Sequence, residues 1–549
     1  MKDLKSIKLL DCSILMLLFS FCFTTESMAG IGLSPDPNNA PNGSVMAIWT
    51  QIIGNDSSNT ELAGVSRFII QGANKNCGDY TLSKVGGSYA NVFTGNFYAR
   101  SYPAKSTDSD SSKFPITVCE TSFDPSWTSA ILQKSNKDVN LWSSSGTAPK
   151  ASFPTLYSVG RKNNGTIKIA GFGDSGCRDN DDQSCNKDSD WPARSLSVDA
   201  ANKNPDLVIH TGDYRYSNKG SSDQWKYWYQ EFFYPVQSLL LKAPLVPSRG
   251  NHETCNYEDT SSKKAPWGTG WFYFLQNRTI SDSISCSSNN YSNLPPWYFD
   301  VKVRTTSPST LGHRFIMMDS SEDNSSNIQV DNFKTMLNLS NDVTSSWWVT
   351  HKPLWGVHTD ESGKTPKAVE SNMQKDLTTA ISELSIQTNT NKGVSREIND
   401  PPSDYIPNTD CWKTDSLPCS LKAIIAGHIH MLQSIRFYTT GSSSNTWIRP
   451  IQYVVGNSGV NIDSGLTHKP CSFNLPSSNP SVNGANLKAV NEWDTKFGYV
   501  IWERSQSTVT GSQSGWTLTR YFSSGGPSKE TNSENPNDKT DYPNCVIDK

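Results

Sequence analysis

The chain of 549 residues has almost no net charge: 49 Lys and Arg face 52 Asp and Glu, a formal balance of -3 with a pI near 6.3. That balance excludes the extended basic field of a nucleic-acid binder and the polybasic patch of a membrane-surface protein. A small acidic substrate stays compatible with it, because a bound cation adds positive charge that residue counting does not see. Long apolar runs are missing too: after Phe23 none reaches the length of a transmembrane helix. No CxxC spacing occurs, which argues against a thiolate zinc site, and no clean internal repeat emerges. What is present is material for a large core, 35% hydrophobic residues with 17 Trp. The length suits one large α/β domain and a smaller companion.

The first residues read as an export signal. Lys2, Lys5 and Lys8 precede a short apolar stretch over residues 14–23, and Ser27-Met28-Ala29 supplies the small residues a signal peptidase prefers. Cleavage is expected after Ala29, with 1–29 as signal peptide and a mature protein that is secreted or periplasmic, with no membrane attachment. The alternative is an uncleaved anchor, for which the apolar run is short. Cysteine usage agrees with export. Of 12 Cys, Cys12 and Cys22 fall in the leader, and the even remainder suggests disulfides in an oxidising compartment. Cys77 with Cys119, Cys177 with Cys185, Cys255 with Cys286, Cys411 with Cys419 and Cys471 with Cys545 would pair all of them, although connectivity stays open.

Residues 30–160 are rich in Ser, Asn, Gly, Thr and Pro, with short apolar stretches at 45–49, 66–70 and 116–119. They read as a β-rich accessory domain. From 161 to 524 the pattern becomes that of an α/β domain: apolar runs end abruptly in Gly plus a polar residue. Such runs at 167–172, 207–210, 245–247, 347–350 and 423–426 suit buried strands, with further strands at 315–318, 453–455 and 499–502. A helix is predicted over 223–241 and another over 373–384. The latter lies in a polar insertion at about 359–420 that contains Pro401-Pro402. Residues 525–549 read as a loop-rich tail.

Each polar group at the end of a run would sit at the carboxyl edge of a strand, where open α/β sheets bind ligands. Several strands would thereby deliver Asp174, Asp213, Asn251, His351, His428 and His430 to one place. His428 and His430 are two apart, so an extended backbone points both to one side. These ligand types suit a pair of metal ions with Asp213 as bridge, since a carboxylate offers two oxygens. Carboxylate, phenolate, amide and imidazole donors without thiolate favour iron, zinc or manganese. Other polar residues read more plainly. His210, inside an apolar run, is expected to be a satisfied core residue; His313 and His468 to be solvent-facing or locally bonded; Arg215 and Glu253 to brace strand-end loops. Tyr214 is balanced between pocket wall and core.

Gly173-Asp174-Ser175-Gly176, Gly212-Asp213-Tyr214-Arg215-Tyr216, Gly250-Asn251-His252-Glu253, His351 and Gly427-His428-Ile429-His430 occur in that order. Together they resemble the blocks of the purple acid phosphatases, within the calcineurin-like metallophosphoesterases. The resemblance spans residues 165 to about 460. It implies a sandwich of two mixed β-sheets flanked by helices. It implies Asp174, Asp213, Tyr216 and His430 as ligands of Fe3+, and Asp213, Asn251, His351 and His428 as ligands of Zn2+, Mn2+ or Fe2+. The superfamily usually has His two residues after the first Asp; Gly176 stands there, and Tyr216 is the replacement expected of the purple branch. In the fourth block Trp348 takes the usual place of Val. The implied activity is hydrolysis of phosphomonoesters by a metal-bound hydroxide. Asn251 and His252 would hold the substrate, and His252 and His358 would serve as acid or phosphate-contacting groups. His358 follows His351 more closely than the family spacing. The partner is a small phosphate ester; no nucleic acid is implied and the oligomeric state is not readable. Two rival readings stand beside this one: a phosphodiesterase or nucleotidase of the same fold, and a secreted binding protein or adhesin with an inert metal site.

Overall fold

The structure, a computed structural model, describes residues 34–55, 62–84, 95–102, 111–159, 166–216, 223–254, 268–277, 293–303, 311–321, 327–359, 366–391, 417–438, 450–463, 473–474, 486–493, 496–505, 516–523 and 528–530, less short gaps within them. The leader, His468, and the pairs Cys255 with Cys286, Cys411 with Cys419 and Cys471 with Cys545 lie outside the described residues.

In chain order the principal strands are β1 (Val45–Asn55), β2 (Leu62–Gln71), β3 (Ile116–Phe123), β4 (Thr166–Phe172), β5 (Leu207–His210), β6 (Leu245–Pro247), β7 (Trp297–Val303), β8 (Leu311–Met317), β9 (Ser346–Val349), β10 (Leu421–Ala426), β11 (Leu432–Tyr438), β12 (Ile451–Val455), β13 (Gly498–Ser505) and β14 (Trp516–Phe522). A first sheet of ten strands contains the order β14-β13-β4-β5-β6-β1-β2-β3, and a second of eight contains β7-β8-β9-β10-β12-β11. Both have a parallel centre, β4-β5-β6-β1 and β8-β9-β10-β12, with antiparallel flanks. The expected sandwich of two mixed sheets is therefore present.

Alternation along each strand explains the layers. In β4, Ile167 and Ile169 join an inner core with Trp502, Phe315, Trp347, Ile425 and Val455, which belong to both sheets. Ala170 and Phe172 point the other way, toward the aromatic residues of 225–240 and helix α1 (Ala193–Asn202). On the far side, Ile316, Trp348 and Ile424 meet Phe333, Leu337 and Leu377 of helices α2 (Asn327–Asn341) and α3 (Ser371–Asn391). Trp348 is thus an outward residue of its sheet, and its indole N–H donates to Ser340 Oγ of α2 at 2.9 Å. That position tolerates the large side chain without disturbing His351.

The helix predicted over 223–241 is broken. Helical turns at Trp225–Trp228 and Gln237–Leu240 flank a π-helical segment, Tyr229–Phe233. Pro235 cannot donate and its ring crowds the carbonyl four residues back, so the helix widens ahead of it. The predicted helix at 373–384 is longer, running through α3. The β-rich amino-terminal segment is present. Its long strands β1, β2 and β3 continue the first sheet, with β1 parallel to β6 and Gln51 opposite Leu245, while short strands between Tyr80 and Phe153 form a separate small sheet.

Two of the five pairings considered are present as disulfides, Cys77–Cys119 and Cys177–Cys185. Loop-closure entropy grows with the span enclosed, so the longer one should stabilise by about 4 kcal/mol and the shorter by about 2.5 kcal/mol. Replacing Cys77 and Cys119 together by Ser is expected to lower the unfolding free energy by more than the same change at Cys177 and Cys185. Denaturant titration checks the order, and the reverse order would mean that native-state contacts, not chain entropy, dominate.

Candidate metal centre

The parallel strands of both sheets end at one place. Asp174 follows β4, Asp213 follows β5, Asn251 follows β6, His351 follows β9, and His428 and His430 follow β10. The backbone there is strained. Asp174, Asp213 and His428 have φ of 52, 54 and 71°, the left-handed region that costs a non-glycine residue about 1–3 kcal/mol. Hydrogen bonds hold these turns: Asp174 Oδ2 accepts from His428 N at 3.0 Å, and Asp213 Oδ1 from His252 N at 2.9 Å.

Candidate ligands form two groups that share Asp213: Asp213, His351 and His428, and Asp174, Asp213 and His430, with donor atoms within 4.8 Å of one another. Tyr216 Oη lies inside the second group, 2.7 Å from Asp174 Oδ1, 2.8 Å from Asp213 Oδ2 and 3.1 Å from His430 Nε2. Asn251 Oδ1 lies inside the first, 2.8 Å from His351 Nε2 and 2.7 Å from His428 Nδ1. Gly176 makes room for the phenol. A Cβ there would fall 2.9 Å from Tyr216 Cδ2 and 2.8 Å from the Arg215 backbone, so a side chain at 176 and Tyr216 exclude one another.

Hydrogen bonding of the imidazoles fits cations. His351 Nδ1 faces the Thr211 carbonyl at 2.8 Å, which only accepts, so Nδ1 carries the hydrogen. Nε2 then turns its lone pair toward two further oxygens, Asn251 Oδ1 and, at 3.4 Å, Asp213 Oδ2. His430 Nδ1 donates to Asp463 Oδ1 at 3.2 Å, and Nε2 points at Tyr216 and Asp174. Lone pairs converging on oxygens in a buried space are completed by positive charge, and a carboxylate or carbonyl behind each His is the usual outer support of a metal ligand. On the protein groups alone, burial pulls His351 down, but Asp213 raises it to about 10, a proton taking the place of a cation. Burial, reinforced by Asp213 and only partly offset by His351 and His430, lifts Asp174 to about 7.

Buried acids brace the loops. Glu253 accepts from the backbone N–H groups of Asp213, Tyr214 and Gly250 at 2.9–3.1 Å, the supporting role its place in the motif suggested. Glu231, from the π-helical segment, accepts from Tyr216 N at 2.8 Å and Cys177 N at 3.3 Å. Arg215 pairs with Asp223 at 3.0 Å. Sequence reading missed Asp463, Glu231 and Asp223. None belongs to a motif, and only the helical phase of the 223–241 run could have singled out Glu231 as inward-facing.

The remaining candidates separate clearly. His252 sits beside the cluster, its ring 4.2 Å from that of Tyr216 and its Nε2 4.0 Å from Asp213 Oδ2, with 14% of its side chain exposed. Asn251, His252 and His428 are half-buried and form the accessible side. Tyr214 is core: it stacks on His210 at 4.1 Å and donates to Ser248 O. His210 is satisfied, with Nε2 2.9 Å from Ser175 Oγ and Nδ1 accepting from Gly212 N. His313 is locally bonded, to Ser345 Oγ at 2.8 Å, but fully buried where solvent exposure was one expectation. His358 has its backbone in the short strand Val357–Thr359, opposite Lys367; its side chain lies outside the described residues.

The calcineurin-like phosphoesterase family model matches residues 167–432, which contain every residue of both ligand groups. The chain is a member of the metallophosphoesterase superfamily. Among solved structures, PhoD has a TM-score of 0.50 at 9% identity, covering 90% of this chain and 92% of its own, and so shares the fold. A purple acid phosphatase, PPD1 from yellow lupin (Lupinus luteus) seeds, has a TM-score of 0.49 at 12% identity, covering 90% of this chain and 74% of its own. No curated protein matches by sequence. As a metallophosphoesterase, the chain has a dinuclear metal-binding fold suited to metal-dependent hydrolysis of phosphoesters.

Proposed function

We propose that this metallophosphoesterase is an exported acid phosphatase of the purple type, hydrolysing phosphomonoesters. The observation that carries the reading is Tyr216 Oη at the meeting point of Asp174, Asp213 and His430, in space that Gly176 leaves free. A phenolate is a hard anionic donor and favours a trivalent ion. Asp174, Asp213, Tyr216 and His430 would hold Fe3+, and Asp213, Asn251, His351 and His428 would hold Zn2+, Mn2+ or Fe2+. Burial and the charges of Asp174 and Asp213 keep the Tyr216 phenol protonated well above its ordinary range without such an ion. When bound, the pair supplies Lewis-acid activation of water and neutralises charge on the phosphoryl oxygens. His252, held at the open side by its backbone bond to Asp213, donates to a phosphoryl or leaving-group oxygen. Export is supported by the leader pattern and by the two disulfides.

Tyr216→Phe tests the reading at its narrowest point. Purified wild-type protein is expected to hold iron, show a visible phenolate charge-transfer band, and hydrolyse para-nitrophenyl phosphate faster than its bis ester. The variant keeps the ring but should lose the band and hold less iron. Colourless, iron-free, fully active wild-type protein would sink the purple assignment. Faster turnover of the diester would make the enzyme a phosphodiesterase.

A further inference from the structure

Arg178 lies at the rim of the candidate metal centre and has no place in the ligand set. Its guanidinium carbon sits 5.1 Å from the centroid of the Tyr216 ring. The residue is half-buried, as are Asn251, His252 and His428 of the cluster. Its loop is pinned at several points. The disulfide Cys177–Cys185 closes it, and Arg178 N donates to Gln183 Oε1 at 2.8 Å. Gln183 Nε2 in turn donates to Asp190 O at 2.8 Å and Gly459 O at 2.7 Å. Cys177 N also reaches Glu231, the acid that braces Tyr216. The arginine is thus set against the metal loops by covalent and polar ties.

The position is informative about substrate. The hydroxyl of Tyr216 touches the ligand cluster, whereas Arg178 lies over the ring of the same residue. A phosphoryl group held at the cluster would meet His252, whose ring also lies against Tyr216. The group reaching Arg178 would be the next one along the substrate. A guanidinium over an aromatic face makes a cation–π contact that leaves N–H donors to spare, and its planar fork matches the paired oxygens of a phosphate or carboxylate. Asp463 is within electrostatic reach but is already engaged by the ring and backbone N–H of His430.

We infer that Arg178 is a substrate-contact residue that receives a second anionic group next to the scissile phosphoryl group, so that this enzyme prefers phosphoryl substrates whose leaving group is itself anionic, phosphoanhydrides such as pyrophosphate among them. This rests on the phosphatase reading for its kinetic test. Wild-type and Arg178→Met proteins, metal-loaded, are compared on pyrophosphate and on para-nitrophenyl phosphate. The variant should lose about 10- to 100-fold in kcat/KM on pyrophosphate, mainly through KM, the scale of a lost charged hydrogen-bonding pair. On the nitrophenyl ester the change should stay within about threefold, and Arg178→Lys should fall between. Equal losses on both substrates, or none on either, overturn the assignment. Calorimetric titration with pyrophosphate and with orthophosphate separates the two readings. Weaker pyrophosphate binding by Arg178→Met with unchanged orthophosphate binding upholds the Arg178 contact even if neither substrate is turned over, in which case the phosphatase reading fails alone. Identical pyrophosphate binding by both proteins rejects the contact whatever the activity.

Discussion

Asp213→Asn is expected to lower kcat by at least about a thousandfold, roughly 4 kcal/mol of barrier, and to lose both metal ions rather than one. Asp213 is the residue common to the two candidate ligand groups. Its Oδ2 is 2.8 Å from Tyr216 Oη and 3.4 Å from His351 Nε2, so one oxygen already spans both sides of the site. Burial pushes its carboxyl up, but His351 and His252 hold it well below the usual carboxylate range. Asparagine preserves the shape and is among the residues that accept the left-handed backbone of this position, φ 54°. The loop should therefore survive while one oxygen becomes a donor and the shared negative charge disappears. His351→Ala and His430→Ala, each removing a ligand of one group, should each lose less activity and mainly one ion. Metal content measured beside turnover decides the matter. An Asp213→Asn protein with two ions and near-normal kcat would show that Asp213 is not shared.

Those candidate ligands were legible because each follows an abrupt end to a buried strand. Residues 207–210 and 245–247 were expected as strands and are β5 and β6, so Asp213 and Asn251 stand where an apolar run stops. Support from outside the motifs was not legible. Asp463 lies 33 residues from the His430 it contacts, in a polar stretch with no periodicity. Glu231 lies in a run of aromatic residues read as one helix, where Pro235 makes a π-helical segment that aims the carboxylate at Tyr216 N. The reading of residues 30–160 as a β-rich accessory domain did not say that β1, β2 and β3 extend the sheet that carries Asp174, Asp213 and Asn251. The signal was present in β1. Val45, Ile48 and Ile52 face the inner core, while Met46, Ala47 and Trp49 face the outer one. A strand apolar on both faces is a central strand covered on two sides.

That continuity puts a large stability effect outside the candidate metal centre, at Glu120. The residue is 3% exposed, and its carboxylate takes Arg67 Nε at 2.6 Å and Arg100 Nη1 on the same oxygen. Both arginines also donate to the end of the short helix Gly268–Phe274: Arg67 Nη1 to Phe274 O at 2.8 Å and Gln276 O at 3.0 Å, Arg100 Nε to Tyr273 O at 3.1 Å. Carbonyls at a helix end carry partial negative charge and suit these cations. At the start of the same helix Gly270 N donates to Asp223, which pairs with Arg215 next to Tyr216. Glu120 thus neutralises the cationic end of a buried relay between the amino-terminal strands and the metal loops. Burial pulls Arg67 down, to about 9, still well above neutral pH, so its charge persists. Glu120→Gln keeps the volume and leaves two buried guanidinium ions opposite a neutral amide, which should cost about 3–5 kcal/mol of unfolding free energy. The pH dependence identifies the cause. Burial raises the Glu120 carboxyl, but Arg67 and Arg100 more than offset this, and its folded pKa is below the usual 4.5. The stabilisation is therefore complete above the ordinary carboxyl range and lost as pH falls through the lowered value. Denaturant titrations at pH 7 and at successively lower pH should show the gap between wild type and Glu120→Gln closing below about pH 4. A gap that stays constant across that range would assign the loss to packing and not to charge.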